Sequence, residues 1–205
     1  MSILDWVRRS AELIAAEAER LSRLDAAIGD GDHGHNLDRG FAAAVEALPE
    51  HGTPGRALVV AGRTIVSTTG GVSGPLYGMA VRRAGKELGD AGVVDAVRLG
   101  AALRGALETV QELGEAQEGE KTMVDALAPA VAAYEQALAA GGDLAECTRA
   151  AADAAERGAQ ATVPMQARKG RASYLGKRSI GHLDPGAVST ALLIRALADL
   201  ASEHA

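Results

Sequence analysis

The 205-residue sequence contains little that would build a β-sheet or a disulfide-rich domain. Its single cysteine excludes an intramolecular disulfide framework and a cysteine-rich zinc site. Aromatic residues make up only 2% of the chain: one tryptophan, one phenylalanine and three tyrosines. Because β-sandwiches and β-barrels favour aromatic and β-branched side chains, this scarcity argues against both architectures.

Long apolar runs and an excess of basic residues are also lacking. No stretch approaches the roughly 18 apolar residues of a membrane span. The N-terminus, MSILDWVRRSAEL, lacks the apolar run of a signal peptide. We therefore expect a cytoplasmic protein that does not associate with membranes. The formal net charge of −6 gives no global reason for nucleic-acid binding, so we expect none.

Helix-forming residues dominate instead, in a chain that is 47% hydrophobic. Alanine and leucine are strong helix formers, and an apolar period of 3.6 residues runs through 2–22. Turn signals divide the remainder into seven more helices, at about 35–47, 55–67, 75–89, 93–113, 122–139, 144–160 and 185–203. The sequence thus predicts an all-α fold in which eight helices form an antiparallel bundle, with a single domain over 1–205.

Several of these helix starts carry cap signals. Asp143 and Glu146 have the spacing of a capping box before the seventh helix. Asp184 followed by Pro185 is expected to cap and begin the eighth helix. Pro75 is expected to open the fourth helix from its first position, where its missing N–H does no harm.

The segment LDAAIGDGDHGHN is expected to form a loop over 24–34. It carries Asp25, Asp30 and Asp32 within eight residues, interleaved with glycine. Carboxylates this close repel one another, so a cation should compensate them, and hard oxygen ligands select Mg²⁺, Ca²⁺ or Mn²⁺. An EF-hand is excluded because Phe41 stands where the bidentate glutamate would be. The alternative is a solvated Asp/Gly turn that carries a helix cap.

A glycine-rich segment, GGVSGP at 70–75, lies between the third and fourth predicted helices. Glycine permits close backbone approach, and the following helix N-terminus presents free N–H groups and a positive dipole. The segment therefore suits a phosphate, although a tight turn between two helices explains it equally well. It is not a Walker loop, because no Gly-Lys-Ser/Thr ending is present.

The segment 167–183 is strongly basic and contains no acid. Its basic residues are Arg168, Lys169, Arg171, Lys177 and Arg178. It is either a solvated loop or a lid over an anionic ligand, since Arg and Lys bind phosphoryl oxygens. RNA binding would use similar charge, but Tyr174 is the only aromatic residue there on which a base could stack. A metal loop, a phosphate cradle and a basic lid together indicate a nucleotide or phosphoryl-transfer site.

Four segments, in their order along the chain, resemble the nucleotide-binding L subunit of dihydroxyacetone kinase. They are LDAAIGDGDHG, GGVSGPLYG, KTMVDALAPA and GRASYLGKRSIGHLDPGA. The same unit forms the C-terminal domain of the single-chain, ATP-dependent kinases of this family, and the resemblance covers about 3–203. It implies an eight-helix antiparallel barrel.

The resemblance also implies which residues form the site. Asp25, Asp30 and Asp32 would hold two Mg²⁺ ions that bridge the phosphates of ADP or ATP. The nucleotide-binding positions would be His33, Gly34, His35, Asn36, Ser73, Gly74, Gly114, Thr122, Met123, Arg171, Asp184, Pro185 and Gly186. Ser73 and Gly74 would lie at the phosphates, and Thr122 and Met123 near the adenosine. No side chain would act as a catalytic nucleophile, because the transfer would be metal-assisted.

In that family a partner K subunit holds dihydroxyacetone covalently on a histidine, and we expect this chain to be the other half of such a phosphotransferase. Either ADP stays bound and is rephosphorylated by a phosphohistidine donor protein, or ATP is the exchangeable donor. When alone, the chain is expected to be a homodimer. The alternatives are a nucleotide subunit for another short ketose or a fatty acid, and a non-catalytic helical adaptor.

Overall fold

Eight α-helices and one 3₁₀ helix form the regular structure of residues 1–203, the part of the chain that the computed structural model describes. The α-helices are α1 (Ile3–Ile28), α2 (His33–Glu46), α3 (Pro54–Thr68), α4 (Ser73–Leu88), α5 (Ala96–Gly114), α6 (Val124–Ala139), α7 (Leu144–Ala161) and α8 (Pro185–Ser202). The 3₁₀ helix spans Arg171–Ser179. The all-α prediction is confirmed; the last two residues of the predicted domain, His204 and Ala205, lie outside the described residues.

The helices close into a ring. Each α-helix packs against the next one along the chain, and α8 returns to pack against α1. Because the connections return the chain to the preceding helix, neighbours run antiparallel, so the even-numbered helices all begin at the same end of the ring. This confirms the predicted eight-helix antiparallel barrel and places four helix N-termini at one end of the ring. None of the helices within 1–203 has the length and apolar character needed to cross a membrane.

Buried aromatic and aliphatic side chains fill the ring. Phe41 and Tyr134 are fully buried, and the Tyr134 hydroxyl donates a hydrogen bond to the carbonyl oxygen of Ala96 at 2.8 Å. The Trp6 indole donates in the same way to the carbonyl oxygen of Leu193 at 3.0 Å, which joins α1 to α8. The polar atoms of these two large side chains, Tyr134 and Trp6, thus both donate to backbone acceptors in the core.

Glycine lets α3 and α4 approach to backbone contact. A Cβ at Gly62 would lie 2.5 Å from the carbonyl oxygen of Gly78, and a Cβ at Gly78 would lie 2.6 Å from that of Gly62. Nearer the far end of this helix pair, a Cβ at Gly55 would lie 2.2 Å from the carbonyl oxygen of Gly89. The close packing holds the loop between α3 and α4, which enters the candidate site, in a defined position.

Two predicted boundaries near the site are wrong. The first helix was expected to end before a loop over 24–34, but α1 continues to Ile28, so Asp25 lies on its last turn. The alanines and leucine around Asp25 favour the helix, which ends at Gly29, where φ and ψ leave the helical region. Helix α4 begins at Ser73 rather than Pro75, which lies in the first turn, where no N–H is needed.

The predicted caps are present, and the segment before α8 has regular structure of its own. Asp143 and Glu146 form a complete capping box at the start of α7. Asp184 caps α8 by accepting a hydrogen bond from the Ala187 N–H at 2.7 Å. The stretch from 162 to 184, which lies between the seventh and eighth predicted helices, contains the 3₁₀ helix, which is interrupted at Gly176 with a φ of 55°.

Candidate functional site

A cavity of about 230 Å³ lies at the end of the ring where the even-numbered helices begin. The first residues of α2, α4, α6 and α8 line it: His33, Ser73, Val124 and Pro185. Each of these helix starts carries the positive end of its helix dipole. Four such ends in one place favour a ligand that carries several negative charges.

Most of the predicted site residues line this cavity. They are Asp25, Asp30, Asp32, His33, Ser73, Gly114, Thr122, Met123, Arg171, Asp184, Pro185 and Gly186. The structure therefore brings together residues from six separate parts of the chain. Their contacts with a metal or a nucleotide remain a prediction.

The other four predicted positions lie outside the lining. A Cβ at Gly34 would lie 2.0 Å from the carbonyl oxygen of Ala18, so Gly34 allows α1 and α2 to touch. His35 is exposed, and Asn36 accepts a hydrogen bond from the Arg39 guanidinium at 2.7 Å. Gly74 packs against the backbone of the loop before α4. A direct contact of these four positions with a nucleotide remains a prediction.

The three aspartates converge as the sequence predicts. One carboxylate oxygen from each of Asp25, Asp30 and Asp32 lies within 4.8 Å of the other two. Oδ2 of Asp25 also accepts hydrogen bonds from the backbone N–H groups of Asp32 and His33, at 3.0 and 3.2 Å. Asp25 thus caps α2 as well as belonging to the cluster, so the two interpretations of this segment are compatible.

The charges at the cluster are only partly compensated. Burial raises the pKa of Asp25, and the neighbouring Asp30 carboxylate raises it further, against hydrogen bonds from the backbone that lower it. The Arg171 guanidinium lies 2.7 Å from Asp30. Carboxylate oxygens at this spacing are the donor set that Mg²⁺ or Ca²⁺ requires, so the residues fit a hard divalent cation.

A buried histidine joins three of the helix starts. His33 Nδ1 lies 3.1 Å from Ser73 Oγ on α4, and its Nε2 lies 2.9 Å from Ser189 Oγ on α8. Burial lowers the pKa of His33 from 6.5 to about 4, although the nearby Asp32 raises it. The imidazole is therefore neutral at pH 7 and fixes the position of Ser73 rather than adding positive charge.

Tyr77 completes this hydrogen-bonded group and was missed by the sequence reasoning. Its hydroxyl lies 2.9 Å from the carbonyl oxygen of Gly186, 2.7 Å from Ser189 Oγ and 3.0 Å from Thr190 Oγ1. Burial raises the pKa of Tyr77, so the phenol stays protonated. The spacing of four residues from Ser73 on one helix could have indicated that the two side chains share a face.

The cavity lining also includes two buried ionisable side chains, a lysine and an aspartate. Lys121 is 1% exposed and Asp184 is 8% exposed, and both line the cavity. Burial raises the pKa of Asp184 from 3.8 to about 7, while its hydrogen bond from Ala187 and the charge of Lys121 lower it. Burial lowers the pKa of Lys121. Lys121 was not among the predicted site residues.

The basic segment covers one side of the cavity. Lys169, Gly170 and Arg171 line it, whereas Arg168 and Tyr174 point to solvent, with Tyr174 88% exposed. A small apolar cluster fastens the segment to the end of α1. Its members are Ile28, Ala167, Ala172 and Leu175. Lys177 and Arg178 are also exposed and lie outside the lining, so only Lys169 and Arg171 of the five basic residues line the cavity. This arrangement agrees with a lid that presents these two residues to an anionic ligand.

Comparison with known proteins relates the whole chain to one family. The DAK2 domain model matches residues 27–199. The ADP-binding subunit DhaL of the PEP-dependent dihydroxyacetone kinase of Escherichia coli (strain K12) is 40% identical over 203 residues, which cover 98% of this chain and 97% of that subunit. The D-erythrulose kinase of Mycolicibacterium smegmatis is 40% identical over 193 residues, 92% of this chain but only 33% of that protein.

A solved structure has the same fold. The dihydroxyacetone kinase of C. freundii in complex with AMP-PNP and Mg²⁺ superposes with a TM-score of 0.71 at 26% identity. The match covers 97% of this chain and 33% of that one. The chain thus corresponds to one third of the larger kinase.

Proposed function

The chain belongs to the DAK2 domain family, and we propose that it is the nucleotide-binding subunit of a dihydroxyacetone kinase. In this proposal residues 1–205 act as one domain that binds ADP or ATP with two Mg²⁺ ions and passes a phosphoryl group to dihydroxyacetone. The observation that carries the proposal is the convergence of three carboxylates beside four helix N-termini. A cation site next to an anion site is what a metal–nucleotide ligand requires.

Asp25, Asp30 and Asp32 would hold the metal ions. When bound, Mg²⁺ would neutralise charge on the phosphate oxygens and orient them. The chain's own contribution is to hold the three carboxylates together against their mutual repulsion. The start of α2 does this for Asp25 through two backbone hydrogen bonds, and Arg171 does it for Asp30.

The remaining cavity residues would bind and orient the nucleotide. The N–H groups at the starts of α4 and α8 would donate to phosphate oxygens, and the hydroxyl of Ser73 is held for the same task by the neutral His33. Thr122, Met123 and Pro185 line the cavity, and their apolar groups would contact an adenosine. No nucleophilic side chain is required, because positioning and charge neutralisation account for most catalysis of phosphoryl transfer.

The acceptor would come from a partner. We propose that a K-type subunit presents dihydroxyacetone at the open side of the cavity, next to the basic segment 167–183. The resemblance to a full-length ADP-binding subunit, at 40% identity, supports a bound ADP that a phosphohistidine donor protein recharges. A kinase for another ketose is the second candidate, because a D-erythrulose kinase is equally similar over the aligned region.

Calorimetric titration of the purified chain with ADP in the presence of Mg²⁺ tests the proposal. We expect binding that EDTA abolishes, and an Asp30→Asn variant that binds more than about 100-fold more weakly, since even partners outside the ligand shell contribute 10–100-fold. Glu17→Gln is the matched control. Like Asp30, Glu17 is an acid paired with an arginine, Arg20 at 2.8 Å, but it lies outside the cavity. Absence of binding by the unmodified chain, or equal binding by Asp30→Asn, would reject the proposal.

The acceptor is tested separately. The chain would be combined with a dihydroxyacetone-binding K subunit and, in parallel, with the acceptor-binding part of an erythrulose kinase. Phosphorylation of dihydroxyacetone and of erythrulose would be measured with ATP and with a phosphohistidine donor. Transfer to dihydroxyacetone from the phosphohistidine donor supports the first candidate. Transfer only to erythrulose would replace it with the second.

A further inference from the structure

The segment between α7 and α8, residues 162–184, is fastened at both of its ends by one side chain; we call it the lid segment. The Lys121 ammonium donates a hydrogen bond to the carbonyl oxygen of Thr162 at 2.6 Å, at the first end. It also donates to the carbonyl oxygen of His182, near the second end. A single cation thus bridges two backbone positions that enclose the lid segment.

The two ends of the lid segment also bond to each other. The Gly181 N–H donates to the carbonyl oxygen of Val163 at 2.8 Å. The Asp184 N–H donates to Thr162 Oγ1 at 3.0 Å. The lid segment is therefore a closed loop, and Lys121 lies at its base.

The conformation of Lys121 indicates that its side chain is needed at this position. Its φ of 63° lies in the left-handed region, which glycine adopts without strain and lysine does not. Its ammonium is buried, which is unfavourable unless hydrogen bonds and opposite charge compensate it. The two carbonyl oxygens supply the hydrogen bonds, and the buried carboxylates of Asp184 and Asp125 supply the charge.

Lys121 also connects the lid segment to the cavity wall. It directly precedes Thr122 and Met123, which line the cavity. The carbonyl oxygen of the residue before it, Glu120, accepts a hydrogen bond from the Arg168 N–H of the lid segment at 3.1 Å. Any movement of this stretch would therefore displace the cavity wall and the lid segment together.

We propose that Lys121 is a positioning residue that holds the lid segment over the cavity, so that Arg171 reaches the aspartate cluster. This proposal rests on the proposed function for its effect on nucleotide binding, but the anchoring itself does not. Lys121 contacts the lid segment only through backbone carbonyl oxygens at its two ends. It would therefore affect a ligand through the positions of Arg171 and Lys169.

Limited proteolysis with trypsin tests the anchoring without any ligand. The lid segment carries cleavage sites at Arg168, Lys169, Arg171, Lys177 and Arg178, and mass spectrometry identifies the cut. We expect Lys121→Met to be cut there at least about tenfold faster than the unmodified chain, because the base of the loop opens when its two acceptors lose their donor. Lys121→Gly relieves the backbone strain but also lacks the ammonium, so it should be cut as fast as Lys121→Met.

The control separates local opening from general destabilisation. Tyr134→Phe removes a buried hydrogen bond to Ala96 at a distance from the cavity, and should lower the Tm while cleavage of the lid segment stays at the original rate. If cleavage of the lid segment followed the Tm across all variants, or was unchanged in both Lys121 variants, the anchoring would be refuted.

Titration with ADP and Mg²⁺ tests the consequence for the site. We expect Lys121→Met to raise the Kd about tenfold or more, and Tyr134→Phe to leave it unchanged. Equal affinity of Lys121→Met and the unmodified chain would refute the positioning role. If the unmodified chain itself does not bind, the proposed function fails, whereas the proteolysis result decides the anchoring on its own.

Discussion

Replacing Asp25 with asparagine should separate the two roles that the structure gives this side chain. Its Oδ2 accepts hydrogen bonds from the N–H groups of Asp32 and His33, and an asparagine carbonyl can accept the same bonds. The carboxylate charge, in contrast, is lost. Because that charge attracts a divalent cation to the cluster, the variant should keep the cap of α2 and lose the metal.

The magnitudes follow from these contacts. Without metal, Asp25→Asn should change the free energy of unfolding by less than about 0.5 kcal/mol, because asparagine and aspartate cap helices equally well. Any change should favour the variant, since burial raises the pKa of Asp25 and its ionised form therefore destabilises the folded chain. Asp25→Ala loses the acceptor and should cost about 1 kcal/mol.

The ligand effect should be larger. With Mg-ADP at about 100 times its Kd, the unmodified chain should gain about 2.7 kcal/mol. Neither Asp25→Asn nor Asp25→Ala should show that gain.

Urea unfolding followed by circular dichroism, with and without Mg-ADP, measures both effects on the same three proteins. The midpoints without ligand report the cap, and the shift on adding ligand reports the metal site. Full retention of the ligand-dependent shift by Asp25→Asn would show that Asp25 is not a metal ligand. A loss without ligand as large as that of Asp25→Ala would show that the carboxylate charge itself is needed to cap α2.

Two further predictions concern helix packing and buried charge. Gly62→Ala places a Cβ 2.5 Å from the carbonyl oxygen of Gly78 and should lower the free energy of unfolding by about 1–3 kcal/mol. Gly92→Ala, with nothing within 4 Å, should change it by less than about 0.5 kcal/mol in the same urea experiment, and equal effects would contradict the close contact of α3 and α4. Burial raises the pKa of Asp184 from 3.8 to about 7, so the folded chain favours the protonated carboxyl. The free energy of unfolding that this preference contributes is fully present below pH 3.8 and is lost as the pH rises through 7. Asp184→Asn should therefore gain on the order of 4 kcal/mol relative to the unmodified chain between pH 4 and pH 8, and a difference that does not vary with pH would contradict this.

Local sequence features predicted the helices because they act between neighbouring residues. The capping box of Asp143 and Glu146 joins residues three positions apart, and the structure contains both of its hydrogen bonds. The same reasoning misplaced the end of α1. Three aspartates and three glycines dominated the interpretation of 24–34, although the first half of that stretch is alanine-rich and helical. Glycine and aspartate alternate only from Gly29 onwards, and the helix ends at that residue.

The aspartate cluster was predictable for the same reason, since its members lie within eight residues of one another. The helix N-termini around it were not, because their convergence depends on the closure of the ring. Pro185 reaches the cavity only because α8 packs against α1. The order of the motifs along the chain indicated that these segments belong together, but their geometry required the fold.

Lys121 shows most clearly what depends on tertiary structure. In the sequence it stands in GEKTM, a polar stretch before a helix, where a lysine is normally exposed. Its acceptors on Thr162 and His182 lie 41 and 61 residues further along, so no local pattern relates them. Its left-handed φ could not be predicted from the sequence either, since this conformation is usually adopted by glycine. A lysine can remain there only if the end of α7 and the start of α8 bring both acceptors and the Asp184 carboxylate to it at once. Its burial is therefore a consequence of the completed ring.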